Sequence, residues 1–351
     1  MTTIKLTDSM SAIQKKLNKG GDIIWQNGVY DITKQLVIKA DTTMTLNGSR
    51  LRRCADIQSI FINDCKTSTK GYNGDGNIKI TNGTLEGMGK YSPDNLFTLF
   101  HSHDVHITNI TFLDTRCHAL EINSSKNITV LGCKFLGCNV DEAYKEMIQI
   151  DAAYAGGFWK NGSSLKSKCY DGTMCNHIRI ENCYFSKSES RDYPSACIGT
   201  HTQIINGRTH KDIKILQNTF YCGGLNKNQA CLSLIGMEDV QIFSNYFRRC
   251  GRVARIYSKD FSYNLLGNKE IPMPDDGKCK GFHIIDNVAE DSQGNNKCSG
   301  IYIDNKNAQN IKITGNKFYK RSDHEKYYLY ATDEVVDLIV KNNDSDLKAK
   351  I

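Results

Sequence analysis

Polar and apolar residues alternate along this chain in short bursts, and the bursts recur. NIKITNGTL begins at Asn77, DVHITNITF at Asp104, NITVLGCKF at Asn127 and HIRIENCYF at His177. DIKILQNTF follows at Asp212, DVQIFSNYF at Asp239 and NIKITGNKF at Asn310, with GFHIIDNVA from Gly281 a degraded copy. Each reads polar, apolar, polar, apolar, then a two-residue bend, then a second short strand closed by an aromatic residue or Leu. A period of two marks a strand with one buried face. A further alternating strand precedes the copies: NLFTLF (95–100), HALEIN (118–123), MIQID (147–151), CIGTH (197–201), CLSLI (231–235), ARIY (254–257) and GIYID (300–304). One unit is therefore strand, turn, strand, bend, strand. Alone it cannot bury its apolar face, so it must stack on its neighbours. The starts at Asn77, Asp104 and Asn127 lie 27 and 23 residues apart, which suits one coil of a parallel β-helix.

A second regularity supports stacking. Five residues after the first apolar position of the motifs stand Ile110, Cys133, Cys183, Asn218, Asn245, Asn287 and Asn316. An inward Asn can bond the Asn above and below it, so the file predicts an internal asparagine ladder with the two cysteines in line. At the start, Ser9 to Leu17 reads as a short amphipathic capping helix ended by Gly20-Gly21. DIIWQNGVYDI and KQLVIKADTTMTLNG would begin the coil, and YYLYATDEVVDLIVK would form its last turns or close its lower edge. The expected organisation is a cap and first coil over 1–50 and one continuous all-β solenoid over 51–351.

Composition narrows the class. The 351 residues are 39% hydrophobic and 24% charged, so the chain is globular, and four prolines leave room for many strands. No run of 18 apolar residues exists, and MTTIKLTDSM lacks the basic and apolar segments of a secretory signal. The 14 cysteines show neither CxxC pairs nor Cys/His metal spacing, so they read as reduced, buried thiols of a chain made in a reducing cytoplasm. The net charge of +7 is dispersed, without a nucleic-acid motif, and suits an anionic polymer or cell surface.

The layout resembles the pectin/pectate-lyase-like superfamily of right-handed parallel β-helices, and especially the depolymerases of phage tails and prophages. The resemblance rests on AIQKKL…GVYDI, GYNGDGNIKITNGTL, HALEINSSKNITVLGCKF, KEMIQID, DGTMCNHIRIENCYF and YPSACIGTH, and it covers nearly the whole chain. It implies a single-stranded right-handed solenoid acting on a bacterial surface polysaccharide, in a virion tail or outside the cell after lysis, as a monomer or homotrimer. Other phage tail proteins are its implied partners; nucleic acid, membrane, cofactor and metal are not expected. QID, GTH and ARIY also resemble the order found in polygalacturonase-type hydrolases, matched here by Asp151, His201 and Arg255. The paired aspartates of that pattern are missing, and Tyr257 replaces its lysine.

Stacking puts outward residues in files. One runs Thr98, Glu121, Gln149, Gly199, Ser233, Arg255, Tyr302; the next runs Phe100, Asn123, Asp151, His201, Ile235, Tyr257, Asp304. Adjacent coils lie ~4.8 Å apart. Glu121 and Asp151 would form a diagonal pair at ~7–8 Å, within the ~6.5–9.5 Å carboxyl spacing of inverting glycosidases. Glu121, Asp151, His201 and Arg255 are thus the catalytic candidates, with Gln149, Tyr257, His118, Trp159 and Tyr302 as substrate-binding candidates. Four insertions, Ala152–Cys175, Ser186–Ser195, Thr202–Lys211 and Ser258–Lys280, would wall the groove, carrying Phe158, Trp159, Tyr170, Tyr193, Phe261 and Tyr263. A histidine set (His101, His103, His106, His118) is a weaker metal candidate. Three functions fit: a hydrolase using two carboxylates, a lyase in which Arg255, Tyr257 or His201 takes the proton beside a uronate carboxyl, and a glycan- or receptor-binding module without catalysis. Outward carboxylates on such a solenoid are also expected to be simply solvated, and Arg255 to pair with Glu121 or Asp304.

Overall fold

The computed structural model describes residues 1–63, 69–87, 95–138, 146–154, 169–200, 204–222, 230–257, 261–264, 269–272, 279–290, 298–304, 308–319, 326–332 and 335–351. The alternating strands stack in parallel, coil upon coil, as a right-handed β-helix. One wall is an 11-stranded parallel sheet whose strands include Phe97–Phe100, Leu120–Asn123, Glu146–Asp151, Ala196–Gly199, Leu232–Ile235, Ala254–Tyr257 and Cys298–Asp304. The two strands of each motif form the other walls, joined into one 21-stranded assembly. Register holds across the coils: Ile80, Ile107, Val130, Ile180, Ile215, Ile242, Ile284, Ile313 and Val340 are successive partners. All but Val340 are buried. A slip of one residue would turn such a file outward, so burial locks the register.

The polar residue that opens each motif has a backbone reason. Asn77, Asp104, Asn127, His177, Asp212, Asp239, Gly281 and Asn310 all sit at positive φ, between 51° and 72°. So does the first residue of each bend, among them Asn109, Gly132, Asn182, Gln217, Asp286 and Gly315. The left-handed region disfavours branched and bulky side chains and tolerates Gly, Asn and Asp. The repeat was therefore visible because each coil needs two such corners at fixed places.

The residue after the second corner points inward. Asn218 Nδ2 donates to Asn245 Oδ1 (3.0 Å), Asn245 to Asn287 (3.0 Å), Asn287 to Asn316 (2.9 Å) and Asn316 to Asn343 (3.0 Å). The ladder is one member longer than the motif count indicates, because Asn343 follows a corner at Asn342 in the last coil. Cys183 adjoins its upper end, its N–H donating to Asn218 Oδ1 (2.8 Å). A neighbouring file stacks Phe112, Phe135, Phe185, Phe220 and Phe247 at centroid separations of 4.6–4.9 Å.

Helix Met10–Leu17 covers the upper end, with Ser9 Oγ accepting from Ala12 N–H and with Ile13 and Leu17 buried. At the lower end, Tyr327–Ala331 and Val336–Lys341 continue the two walls as last turns, and Lys348–Lys350 pairs with Tyr327–Ala331. Within the insertion at 258–280, Phe261–Tyr263 pairs antiparallel with Glu270–Pro272, a hairpin outside the repeat. The 13 cysteines among the described residues are free thiols, and all but Cys54 are buried.

Candidate functional site

The 11-stranded sheet gives the outward files their expected partners. Thr98, Glu121, Gln149, Gly199, Ser233, Arg255, Tyr302 and Tyr330 are consecutive neighbours, and Phe100, Asn123 and Asp151 form the file beside them. Glu121 faces Gln149 directly, and Asn123 faces Asp151, so Glu121 and Asp151 are diagonal neighbours on adjacent strands. Cα atoms so placed lie ~7–8 Å apart.

These carboxylates are not solvated. Glu121 is 0% exposed and Asp151 2%, and a third acid, Glu146 at the start of the Asp151 strand, is 3% exposed. Burying a carboxylate is costly unless hydrogen bonds hold it. Asn95 Nδ2 and Thr98 Oγ1 both donate to Glu121 Oε2, the latter at 3.3 Å. Gln149 Nε2 donates to Asp151 Oδ2 at 2.6 Å. Asn95 also accepts the His118 N–H through Oδ1 (3.2 Å). His118 Nδ1 faces the Glu146 carbonyl oxygen at 2.7 Å, so that nitrogen carries the ring proton.

Satisfaction is incomplete. Glu146 Oε2 and both polar atoms of the Asn123 amide are buried and make no hydrogen bond among the described residues. Buried polar atoms without partners are rare and need an explanation. The Glu146 side chain also explains Gly199, one coil on: a Cβ there would stand 2.7 Å from Glu146 Cγ.

Two further groups border the pair. Burial raises the Tyr154 phenol, and the charges of Asp151 and then Glu121 raise it further, so it stays protonated. His210 is fully buried; burial lowers it to about 4, against a weaker opposite pull from Asp151. Its Nδ1 accepts the Cys175 N–H at 3.0 Å, which fixes the proton on Nε2. Cys175 Sγ in turn donates toward the Asp151 and Ile122 carbonyls, both at 3.3 Å, tying the far end of the loop back to the strand.

The other sequence candidates fall into three groups. Gln149 and His118 adjoin the carboxylates. Arg255, Tyr257 and Tyr302 share the sheet but lie further along it: Arg255 is three strand steps from Gln149, ~14 Å, and four from Glu121. An Arg255–Glu121 pair is therefore corrected by strand order; the Arg255 guanidinium stands 4.7 Å from the Tyr257 ring centre instead. His201 and Trp159 lie outside the described residues, as do Phe158 and the side chain of Asp304. The histidine set does not converge. His101 directs its two ring nitrogens to the carbonyls of Gly71 (2.6 Å) and Cys169 (2.9 Å), and His103 bonds Asp104. Among the described residues, the group whose ligand atoms approach one another is Cys197, Cys222 and Cys231, inside the core. There burial and neighbouring thiols push Cys197 and Cys231 well up, so both stay protonated.

Asn95, Glu146, Tyr154 and His210 were missed by reading alternation alone. Asn95 precedes its strand, Glu146 and His210 are the first residues of theirs, and Tyr154 lies past the end of the Asp151 strand. The signal available for Glu146 was its place in KEMIQID, five residues before Asp151.

No family model matches the chain. The plasmin and fibronectin-binding protein A of Streptococcus pneumoniae is 28% identical over 273 residues, 69% of this chain and 36% of that protein. The chain thus spans about a third of the length of that curated relative. A crystal structure of PfbA, a surface adhesin of S. pneumoniae, superposes with a TM-score of 0.76 at 21% identity, covering 98% of this chain and 85% of that one. ORF18 of Geobacillus virus E2 gives 0.57 at 11% identity (99% and 61% covered). A mutant tailspike of E. coli bacteriophage HK620, in complex with a pentasaccharide, gives 0.55 at 12% identity (98% and 62%). The fold is that of the pectate-lyase-like right-handed parallel β-helices. Within that class, the HK620 tailspike and the pneumococcal adhesin each superpose over 98% of this chain.

Proposed function

We propose that the chain binds a bacterial surface glycan and cleaves it by glycosidic hydrolysis, with Glu121 and Asp151 as the acid–base pair. The observation that carries this reading is two buried carboxylates on adjacent strands, diagonal to each other and each held by a side-chain amide. Three acids, Glu121, Glu146 and Asp151, share this patch. The strand geometry suits inverting hydrolysis, in which one carboxyl protonates the leaving oxygen and the other activates water from the opposite side of the sugar. His118 and Gln149 flank the pair as ring-hydroxyl ligands. The tailspike neighbour with its bound pentasaccharide supports a glycan ligand and a virion-tail setting.

The pneumococcal relative favours a second reading, an adhesin module that uses the same face without cleaving. One experiment separates the two. Capsular, exopolysaccharide and teichoic-acid polymers are incubated with wild type and with Asp151→Asn, then sized by gel filtration while near-ultraviolet absorbance is followed. Shortening by the wild type alone, without new absorbance, is the expected result. New absorbance would move the chemistry to β-elimination. Retention of polymer without shortening would favour the adhesin.

A further inference from the structure

A polar cleft opens around the corner from the carboxylates. It has a volume of about 350 Å³ and lies between Gly71–Tyr72, Thr173–Asn176 and Gly207–Lys211. Cys175, in its wall, is the residue whose thiol bonds the Asp151 carbonyl, so the cleft begins where the Asp151 strand ends.

Its lining is specific. On one side the Tyr72 hydroxyl donates to the Met174 carbonyl (3.0 Å), which fixes the ring, and Lys126 Nζ lies 5.1 Å from the ring centre. Asn176 stands in register between Lys126 and Lys211, one strand step from each. The Asn176 Oδ1 atom is buried and has no hydrogen-bond partner among the described residues. On the opposite side, Lys211 Nζ lies 3.2 Å from Glu238, which also accepts from the Thr209 hydroxyl and sits 3.6 Å from Lys280. Arg208 reaches the Asp171 carbonyl at 3.4 Å, and the Asp171 carboxylate is occupied by the N–H groups of Gly71 (2.7 Å) and Thr173 (2.9 Å). Two cations, Arg208 and Lys211, thus line the cleft, and Lys126 and Lys280 stand beside its walls, against Glu238 in the lining and Asp171 next to it, both already bonded.

We infer that this cleft binds one sugar or polyol unit bearing a single anionic group. The volume is that of a small-ligand site. The excess cations select an anion, and the orphaned Asn176 carbonyl needs a hydroxyl donor. A neutral sugar leaves the cations unused; a simple anion leaves Asn176 unsatisfied. A uronate and a glycerol phosphate unit share the required chemistry. The site is one of binding, and it holds whether or not the carboxylates cleave; it shares with the proposed function only the premise of a glycan ligand.

The test is calorimetric titration of the full chain with glucuronate, glycerol 1-phosphate and glucose, at low and moderate salt. The variants are Lys126→Ala/Lys211→Ala and Asn176→Ala, with Lys79→Ala as a distant lysine control and Asp151→Asn to separate this site from the carboxylates. One binding event is expected for at least one anionic probe, weakened by salt, with glucose about tenfold weaker or more. Which anion binds identifies the source, uronate or polyol phosphate. The double lysine variant should lose about tenfold and Asn176→Ala less, while Lys79→Ala and Asp151→Asn bind as wild type. Thermal melting of each variant checks that it is folded. No binding of either anion, equal binding of glucose, or binding that survives in a folded double variant would overturn the inference.

Discussion

Two buried polar arrays run through the same coils and behave differently. Inside, Asn218, Asn245, Asn287, Asn316 and Asn343 repeat one residue, and each amide donates to the next. Backbone groups complete the set: Asn218 N–H donates to Asn245 Oδ1, and Asn245 Nδ2 to the Ile215 carbonyl. Outside, Glu121, Asn123, Glu146, Gln149 and Asp151 occupy two adjacent strands, three of them acidic, and atoms of Asn123 and Glu146 have no partner among the described residues. An array that satisfies itself by repetition serves the fold. One that mixes residue types, concentrates one charge sign and leaves atoms unbonded departs from local consistency, which proteins do at functional sites.

The largest effect should come from neutralising the outer array. Asp151→Asn or Glu121→Gln should lower depolymerisation about 10²–10⁴-fold, the usual worth of a general acid or base. Binding of the uncleaved polymer and thermal stability should hold, since the amide keeps the size of the carboxylate. Reducing-end release and melting curves on the same preparations check this. Full activity in both variants would transfer the array to a structural role.

The inner array should show the reverse. Asn245→Leu removes the acceptor of Asn218 and the donor to Asn287. Leaving two or three buried groups unpaired should cost about 3 kcal/mol, read as a lower unfolding midpoint. Activity per folded molecule should stay at the wild-type level. A stable Asn245→Leu chain would mean that the ladder follows from stacking rather than supporting it.

The inner array was legible from sequence because its cause is local and periodic. A left-handed corner at Gln217, Ser244, Asp286 and Gly315 fixes the next residue inward, so counting from each motif found Asn218, Asn245, Asn287 and Asn316. The pairing of Glu121 with Gln149, and of Asn123 with Asp151, was legible for the same reason. Their burial was not. Tyr154 lies past the end of the Asp151 strand, and in another wall Cys175 directly precedes a strand and His210 opens one, so alternation along the Asp151 strand does not reveal them. Glu146 escaped because it opens its strand, before the alternation of MIQID sets in. The register of Arg255 was legible, but its separation from Glu121 was not: files give rows, and distance along a row must be counted coil by coil.

A smaller effect concerns acid. His210 is held neutral in the fold, lowered to about 4 by burial, whereas an unfolded chain has a histidine near ~6.5. Between those values the unfolded state binds more protons, so stability falls as pH drops from about 6.5 to 4 and levels off below. The loss from this residue amounts to at most about 3 kcal/mol. His210→Gln should flatten that part of a stability–pH curve measured by urea denaturation. An unchanged slope would assign the acid sensitivity to other groups.

The smallest effect should lie at the far end of the sheet, where the outward face changes character. Arg252 lies 4.2 Å from the Tyr302 ring centre, Tyr302 stacks on Tyr330 at 5.6 Å, and Lys350 Nζ stands 4.6 Å from Tyr330. With Arg255 over Tyr257, these side chains form a half-buried column of rings and cations, ~14 Å or more from the Asp151 coil. Such contacts are worth roughly 0.5–1 kcal/mol each at accessible sites. Arg255→Ala should therefore leave kcat within about threefold of wild type and act on KM, more for long polymer than for short fragments that span only the carboxylate coils. Stability should change by less than about 1 kcal/mol. A kcat loss of about a hundredfold on short fragments would bring Arg255 into the reacting site. The functional face would then extend over four coils beyond Glu121, and the contrast between an acidic working stretch and a stacked aromatic one would fail.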